Sequence, residues 1–461
     1  MKPIWILLTV LLLALPHLSF KFPAEHITSS FSDDGNPSNL SDLEVRQRLN
    51  DLDGSVDLKY NSAVERNIKH YLGSRKKAIA ATIGKSKMYF PIFEHFLQVN
   101  NLPDELKYLS VVESALNPSA RSPVGASGLW QFMKGTGKRY GLKVDAYIDE
   151  RNDPIKATEA AFTYLHDLHK RYNDWTLALA AYNCGPGRVN RAIRRAGTMD
   201  YWKLRNFLPS ETKNYVPAFV AVTYIMNYYQ SHGIQPIAGK YQFQNLRTTT
   251  LFDSESFFEI SKSSDVSSKE IEKLNPAYKK SFIPKSRLGN YLTLPLAGME
   301  KFKAFRSRRQ LNNFYSSSSS DYYDYMSIPK NMIQSTYIVQ KGERLSQIAQ
   351  LLKCSEEELK TWNQLGERST FYGQELIYYF AKENLNLSKS TAPETEKKST
   401  PLDVQIVKPK KVLYHLIKEG ETLDQINDFY SDVTLSEIIR NNNLYGEINL
   451  VPGEKLKIKD L

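Results

Sequence analysis

Apolar positions are spaced for helices from about Asn61 to Gln230, and for strands with short helices after Gln235. Val64, Ile68 and Tyr71 fall on one side of a 3.6-residue repeat, as do Phe93, Phe96 and Leu97. Over this stretch apolar and polar residues do not alternate as a half-buried strand requires, so the pattern predicts an all-α domain spanning 57–235. Ahead of it, Ile4 to Leu15 form an apolar run behind Lys2, broken at Pro16. The run has roughly half the ~20 residues a spanning helix needs. Together with the positive lead, this predicts a secretory signal peptide over residues 1–20. Phe20 and Lys21 leave its cleavage position undefined, and an uncleaved segment would tie the chain to the membrane. No cysteine follows the run to carry a lipid. Residues 21–56 are rich in Ser, Asn, Asp and Gly and read as a flexible lead-in.

Beyond the helical region two low-complexity stretches interrupt the pattern. Tyr315–Tyr325 holds five consecutive serines among tyrosines, and 387–411 is rich in Ser, Thr, Pro and Lys. Both read as solvated linkers. Around them lies an internal repeat. One copy, 335–381, begins Tyr337-Ile338-Val339-Gln340-Lys341-Gly342-Glu343-Arg344-Leu345 and reaches Leu359-Lys360-Thr361-Trp362-Asn363. The other, 412–460, begins His415-Leu416-Ile417-Lys418-Glu419-Gly420-Glu421-Thr422-Leu423 and reaches Ile439-Arg440-Asn441-Asn442. Each closes on a Gly-containing turn and a short apolar strand, giving strand, helix, helix, strand. A degenerate third copy, 245–297, keeps the helix positions and the last strand, Tyr291 to Pro295, but lacks the Gly-Glu-Thr turn.

Length, composition and charge narrow the chemistry. At 461 residues the chain holds about three domains. Its 12% aromatic content, with 28 tyrosines, can pack cores, and 24% charged residues exclude wholesale disorder. A net charge of +11 suits an anionic partner. Two cysteines, Cys184 and Cys354, cannot form a disulfide scaffold, and eight scattered histidines without HExxH or paired-Cys spacing argue against a metal enzyme. No cofactor or metal is expected. No nucleic-acid motif accompanies the positive charge, so no nucleic-acid partner is expected either.

The densest chemical signal runs from Leu102 to Gly187. Leu102, Leu106 and Leu109 form an apolar stripe on a predicted helix that opens at Pro103 and must end near Leu116, before Asn117-Pro118. Glu113 continues that stripe. A carboxyl group on an apolar face should be desolvated, its pKa raised, and its proton available to a general acid. Next come Gly125-Ala126-Ser127-Gly128-Leu129-Trp130-Gln131-Phe132-Met133, where two glycines permit tight turns. Trp130, Phe132 and Met133 are expected to wall a groove, with Gln131 offering its amide to a sugar. Ala178 to Tyr182-Asn183-Cys184-Gly185-Pro186-Gly187 reads as a small-residue helix with an abrupt stop, and Glu211 to Phe219 opens another helix. Cys184 has no partner His nearby and is expected to pack, not react.

In this order and spacing, Glu113-Ser114, the Gly-x-x-Gly-Leu-Trp-Gln-Phe-Met run and Ala-Tyr-Asn-x-Gly resemble the goose-lysozyme-like lytic transglycosylases, specifically the D-type membrane-bound murein enzymes. The resemblance extends from about Asp57 to Tyr229, and the repeats resemble LysM modules, which bind N-acetylglucosamine-containing glycans. It implies a mainly α, lysozyme-like catalytic domain of goose type, followed by small α+β LysM modules on flexible linkers. It further implies Glu113 as sole catalytic acid/base, and Ser114 orienting Glu113 or the substrate's acetamido group. Gln131, Tyr182, Asn183 and Tyr215 would line the subsites, and Met133 would pack near them. Sugar binding in the modules would fall at Gly342–Leu345 with Asn363–Leu365, and at Gly420–Leu423 with Asn442–Leu444. The implied partner is the peptidoglycan glycan strand of GlcNAc and MurNAc. The implied location is the periplasm or cell envelope, and the sequence says nothing of oligomeric state.

An ordinary glycosidase uses two carboxylates, and the motif supplies one. The implied reaction is therefore cleavage of the β-1,4 MurNAc–GlcNAc bond with closure to a 1,6-anhydromuramoyl end. Two rivals remain at the level of sequence: hydrolysis by a water held at Asp149-Glu150-Arg151-Asn152-Asp153, and a wall-binding scaffold without activity. The mixed charges of that acidic loop read more simply as an ion-pair network followed by a helix start.

Overall fold

The computed structural model describes residues 41–316 except 53, 332–381 except 367, the strands 412–416 and 455–460, and residues 426, 430 and 438. The expected signal peptide, the 387–411 linker and the loops Gly420–Leu423 and Asn442–Leu444 lie outside the described residues. The chain divides into two compact units, 1–388 and 389–461.

The first unit opens with helices α1 (Asp42–Asp51), α2 (Ser62–Leu72) and α3 (Lys76–Val99). Asn61 starts α2 by accepting the backbone N–H groups of Ala63 and Val64. A 3₁₀ turn, Asp104–Tyr108, then leads into the short α4 (Leu109–Ser114). The single helix expected from Pro103 onward is thus split in two, and it ends where expected, with Ala115 left-handed at φ 50°. Helices α5 (Lys134–Arg139), α6 (Pro154–Tyr172), α7 (Trp175–Cys184), α8 (Pro186–Ala196), α9 (Tyr201–Leu204) and α10 (Ser210–Tyr228) complete the domain.

The centre of this domain is α7. Asp174 caps it, Gly185 at φ 85° ends it, and Trp175 through Ala181 are all buried. Its alanines let α6, α8 and α10 approach closely. Leu106, Leu109, Trp130, Phe162, Phe219 and Tyr224 fill the same core. Only isolated bridges, Arg121 with Ser127 and Ser127 with Phe132, interrupt the helical texture between α4 and α5.

Two βααβ modules follow in the same unit. In the first, β1 (Leu246–Leu251), β2 (Glu255–Ser256), α11 (Phe257–Ser264), α12 (Ser268–Leu274), β3 (Phe282–Ile283) and β4 (Asn290–Pro295) are followed by the long α13 (Leu296–Ser316). Strands β1 and β4 pair antiparallel from Leu246–Pro295 to Leu251–Asn290. The second comprises β5 (Met332–Ile338), α14 (Leu345–Leu352), α15 (Glu356–Asn363) and β6 (Glu375–Ala381), with β5 and β6 antiparallel. One device recurs in both. Asn275 at the end of α12 bonds Thr293 through both its amide oxygen (2.7 Å) and its nitrogen (2.8 Å), and Asn363 at the end of α15 does the same to Ile377 (2.6 and 2.7 Å). Each asparagine ties the second helix to the last strand, which is why the repeat ends its helices on Asn.

These two modules do not hang free from linkers. Phe371 and Tyr291 are buried in the same apolar cluster as the helices of the 57–235 domain and stack edge-on at 5.0 Å. In the second unit, β7 (Val412–Leu416) and β8 (Lys455–Asp460) pair antiparallel over buried Ile426, Ile438, Leu456 and Ile458.

Candidate active site

Glu113 sits on the last turn of α4. Leu106 and Leu109 beneath it are fully buried, which fixes the face on which it emerges. Two consecutive left-handed residues, Ala115 (φ 50°) and Leu116 (φ 54°), then turn the chain sharply away. Such backbone costs about 1–2 kcal/mol per non-glycine residue and needs support from its surroundings. That support comes from hydroxyls: Ser110 and Ser114 both donate to the carbonyl of Leu129, at 3.2 and 2.9 Å. Ser114 also accepts the N–H of Asn117 at 3.2 Å. Its hydroxyl therefore clips the end of the helix to the neighbouring loop.

The Glu113 carboxyl is half-buried, and the Tyr215 hydroxyl donates to its Oε1. Burial pushes its pKa up to about 8, the Tyr215 hydrogen bond opposes that rise, and the nearby Glu211 carboxylate adds to it. Tyr215 itself stays protonated, since burial and the charge of Glu113 push its own pKa well above 10. Near neutral pH the site thus holds a protonated carboxylic acid with a permanent hydroxyl donor against it.

The loop 120–133 forms the adjoining wall, and Arg151 holds it in shape. Its guanidinium takes both oxygens of Asp149 at 2.8 Å and donates to the carbonyls of Gly125 (2.7 Å) and Phe132 (2.9 Å). Gly128, at φ 87°, passes so close that a Cβ there would lie 1.7 Å from the Arg151 carbonyl oxygen. Gln131, itself left-handed at φ 46°, turns its amide NH2 back onto the carbonyls of Gly128 (2.9 Å) and Ala120 (3.2 Å). Trp130 and Phe132, expected in the groove wall, are instead core residues. Trp130 is fully buried with its indole N–H on Thr158 at 3.0 Å, and Phe132 is 2% exposed. The tight turn 128–131, closed by the Gln131 N–H on the Gly128 carbonyl at 3.3 Å, packs them inward with Leu129 and leaves Met133, 46% exposed, on the surface.

The opposite side comes from the end of α7 and the start of α10. Tyr182 donates its hydroxyl to the Trp130 carbonyl at 2.8 Å, joining α7 to the loop, and lies within the electrostatic reach of Glu113. Asn183 accepts from the Thr212 hydroxyl at 2.6 Å and donates to Glu211 at 3.3 Å. Glu113, Tyr182 and Tyr215 are therefore brought together, with Asn183 one residue on. Gln131 and Met133 lie on the wall. Cys184 is half-buried with a pKa raised by burial, so it is no thiolate.

Sequence reasoning missed the roles of Ser110, Arg151, Glu211 and Thr212. Only proximity in the fold reveals them, since none stands at a distinctive spacing. The acidic loop is the ion-pair network that its composition suggested. Asp149 is paired with Arg151, Glu150 with Lys156 at 2.6 Å, and Asp153 caps α6 through the N–H groups of Ile155 and Lys156. Asn152 accepts from Ser127 at 2.7 Å.

A helical domain that presents one desolvated carboxylic acid at the end of a short buried helix, braced by tyrosines, is of the lysozyme-like class. Comparison with known families agrees. Residues 90–205 match the Transglycosylase SLT domain, 246–310 the Lytic transglycosylase MltD, LysM-like domain, and 337–377 and 415–459 the LysM domain. The chain is 28% identical over 363 residues to "Membrane-bound lytic murein transglycosylase D" of Escherichia coli, a match covering 78% of this chain and 73% of that one. It is 31% identical over 149 residues to "Soluble lytic murein transglycosylase" of Escherichia coli, covering 31% of this chain and 23% of that one. The solved 70-kDa soluble lytic transglycosylase of Escherichia coli overlaps 38% of this chain and 32% of its own, at 24% identity and a TM-score of 0.29. The helical domain is thus similar to the Transglycosylase SLT domain of lytic murein transglycosylases, and LysM-type modules follow it.

Proposed function

We propose that the protein cleaves the β-1,4 bond between N-acetylmuramic acid and N-acetylglucosamine in peptidoglycan and leaves a 1,6-anhydromuramoyl end, while its LysM modules hold the wall. The observation that carries this reading is the single Glu113 carboxyl group, set above buried Leu106 and Leu109 with the Tyr215 hydroxyl donating to it. Glu113 gives its proton to the glycosidic oxygen as the C1–O bond breaks. The muramoyl acetamido oxygen stabilises the cationic C1 from the other face. The resulting carboxylate, stabilised by the Tyr215 hydroxyl, then takes the proton of the muramoyl C6 hydroxyl as its oxygen closes on C1. Glu113 ends protonated, and no water is consumed. This sequence needs one group that is acid first and base second, which a pKa near the working pH serves best.

In this reading Tyr182, Asn183 and the Gln131–Met133 wall position the sugars about the scissile bond. Ser114 acts through the backbone, fixing the helix end that carries Glu113. A hydrolytic alternative needs a second carboxylate to activate water, and those of the 149–153 loop are engaged in pairing and capping. The apolar run behind Lys2 supports export to the cell envelope. Among the described residues no helix is long and apolar enough to cross a membrane. The test is release of soluble fragments from purified peptidoglycan. Wild-type protein should release them, and Glu113→Gln should bind the wall without releasing any. Near-wild-type release by Glu113→Gln would overturn the assignment.

A further inference from the structure

The first loop of the 335–381 module expected to grip sugar, Gly342–Leu345, is occupied by the catalytic domain. On the first loop, Lys341 pairs with Glu94 at 3.0 Å, and the Gly342 N–H donates to His95 Nδ1 at 3.0 Å. Arg344 donates to the Val99 carbonyl at 2.8 and 3.0 Å and to Asn101 Oδ1 at 3.2 Å. All four acceptors lie in the last two turns of α3 or just beyond it, and the Val99 carbonyl at its end favours a cationic donor such as Arg344. The loop that follows Asn363–Leu365 lies on the same domain. The Ser369 N–H donates to Glu159 on α6 at 3.3 Å, the Thr370 carbonyl meets His95 Nε2 at 3.0 Å, and Phe371 is 2% exposed. One fully buried imidazole therefore pins the first sugar loop and the 369–371 segment together: Nε2–H donates to Thr370 while Nδ1 accepts from Gly342.

We propose that this LysM module is held in a latched state, in which the end of α3 covers its first sugar loop, Gly342–Leu345, and glycan must displace it in order to bind. The proposal rests on the reading of the module as a glycan binder. It makes wall engagement and movement of the module against the catalytic domain a single event. A module whose binding-competent state is a minor fraction binds more weakly by that fraction. Holding the latch shut should therefore weaken this site by about tenfold or more.

The α3 side of the contact supplies a release. Glu94→Gln removes the ion-pair partner of Lys341, and Asn101→Ala removes an acceptor of Arg344, while the module itself is left unchanged. The experiment uses the full chain carrying Glu113→Gln to prevent cleavage, with and without Glu94→Gln and Asn101→Ala. Each is titrated with a β-1,4-linked N-acetylglucosamine hexasaccharide. The latch predicts that the released chain binds one more hexasaccharide than its parent, or binds it about tenfold more tightly. Amide hydrogen exchange on the Glu113→Gln parent is the companion measurement. Sugar should raise exchange over 94–101 as the module lets go. Equal binding by the two chains, with sugar protecting 340–345 and leaving 94–101 unchanged, would overturn the latch while sparing the module's sugar binding. A complete lack of sugar-dependent change at 340–345 in any form would sink the glycan-binding reading and the latch with it.

Discussion

Replacing Tyr215 by Phe removes a single hydroxyl from the site and changes its electrostatics in a calculable direction. That hydroxyl donates to Glu113 and holds its pKa below what burial alone would impose. A hydrogen bond to a charged group is worth about 1.5–3 kcal/mol, and one pKa unit corresponds to about 1.4 kcal/mol. The Glu113 pKa of about 8 should therefore rise by about one to two units in Tyr215→Phe. The first step needs the protonated acid, so activity falls as pH rises through that pKa. The alkaline limb of kcat/KM against pH, read from fragment release, should move to higher pH by the same one to two units. On the neutral plateau, where Glu113 is protonated in both proteins, the loss should be about tenfold. It reflects poorer positioning and the weaker acidity of the group. Tyr182→Phe is the control: its hydroxyl serves the Trp130 carbonyl, so the limb should stay in place while the rate falls. An unshifted limb in Tyr215→Phe, or one moved to lower pH, would refute the electrostatic reasoning.

Three further substitutions test the scaffold. Gly128→Ala should destabilise the fold by about 3 kcal/mol or more, from its left-handed backbone and the collision with the Arg151 carbonyl. Gly125→Ala, at a similar φ but in open space, should cost only about 1–2 kcal/mol. Chemical denaturation compares the two, and equal losses would contradict the packing argument. Asp149→Asn breaks a buried ion pair and should cost about 3–5 kcal/mol in the same assay. Where the variant is folded it should give the same products as wild type, because Asp149 holds the wall and performs no chemistry. His95 carries a pH prediction for the latch. Burial lowers its pKa from 6.5, opposed by the Thr370 and Gln340 carbonyls and by Glu343, with the Glu94–Lys341 pair, Lys107 and Arg344 also about it. A histidine whose docked pKa is depressed favours docking above its free pKa, and that contribution fades as pH falls. Protection of the Gly342 amide from hydrogen exchange should therefore fall from about pH 7 to about pH 5, whereas His95→Gln should show no such dependence.

The part of this molecule that obeys local periodicity could be read from its residues. Leu106 and Leu109 already place Glu113 on a buried face, and Asn117-Pro118 already ends its helix. The raised pKa follows from those two facts before any coordinate is known. The paired left-handed residues Ala115 and Leu116 could not be foreseen, because neither is a glycine and their support, Ser110 and Ser114 on the Leu129 carbonyl, spans a loop. Their aromatic character places Trp130 and Phe132 in the groove, but the tight turn 128–131 decides which side chains turn inward. The docking of the 335–381 module was equally hidden. His95 reads as one more helical residue on α3, and its partners Gly342 and Thr370 lie far along the chain. Contacts of that range leave no period in a sequence.

In the proposed reaction one carboxyl group cleaves the glycan without water. Mass spectrometry of the soluble fragments released from purified peptidoglycan, with Glu113→Gln alongside, tests this. The fragments should be lighter by one water than hydrolysis products, resistant to borohydride reduction, and absent with Glu113→Gln. Reducible, hydrated ends released by the wild-type protein would contradict it.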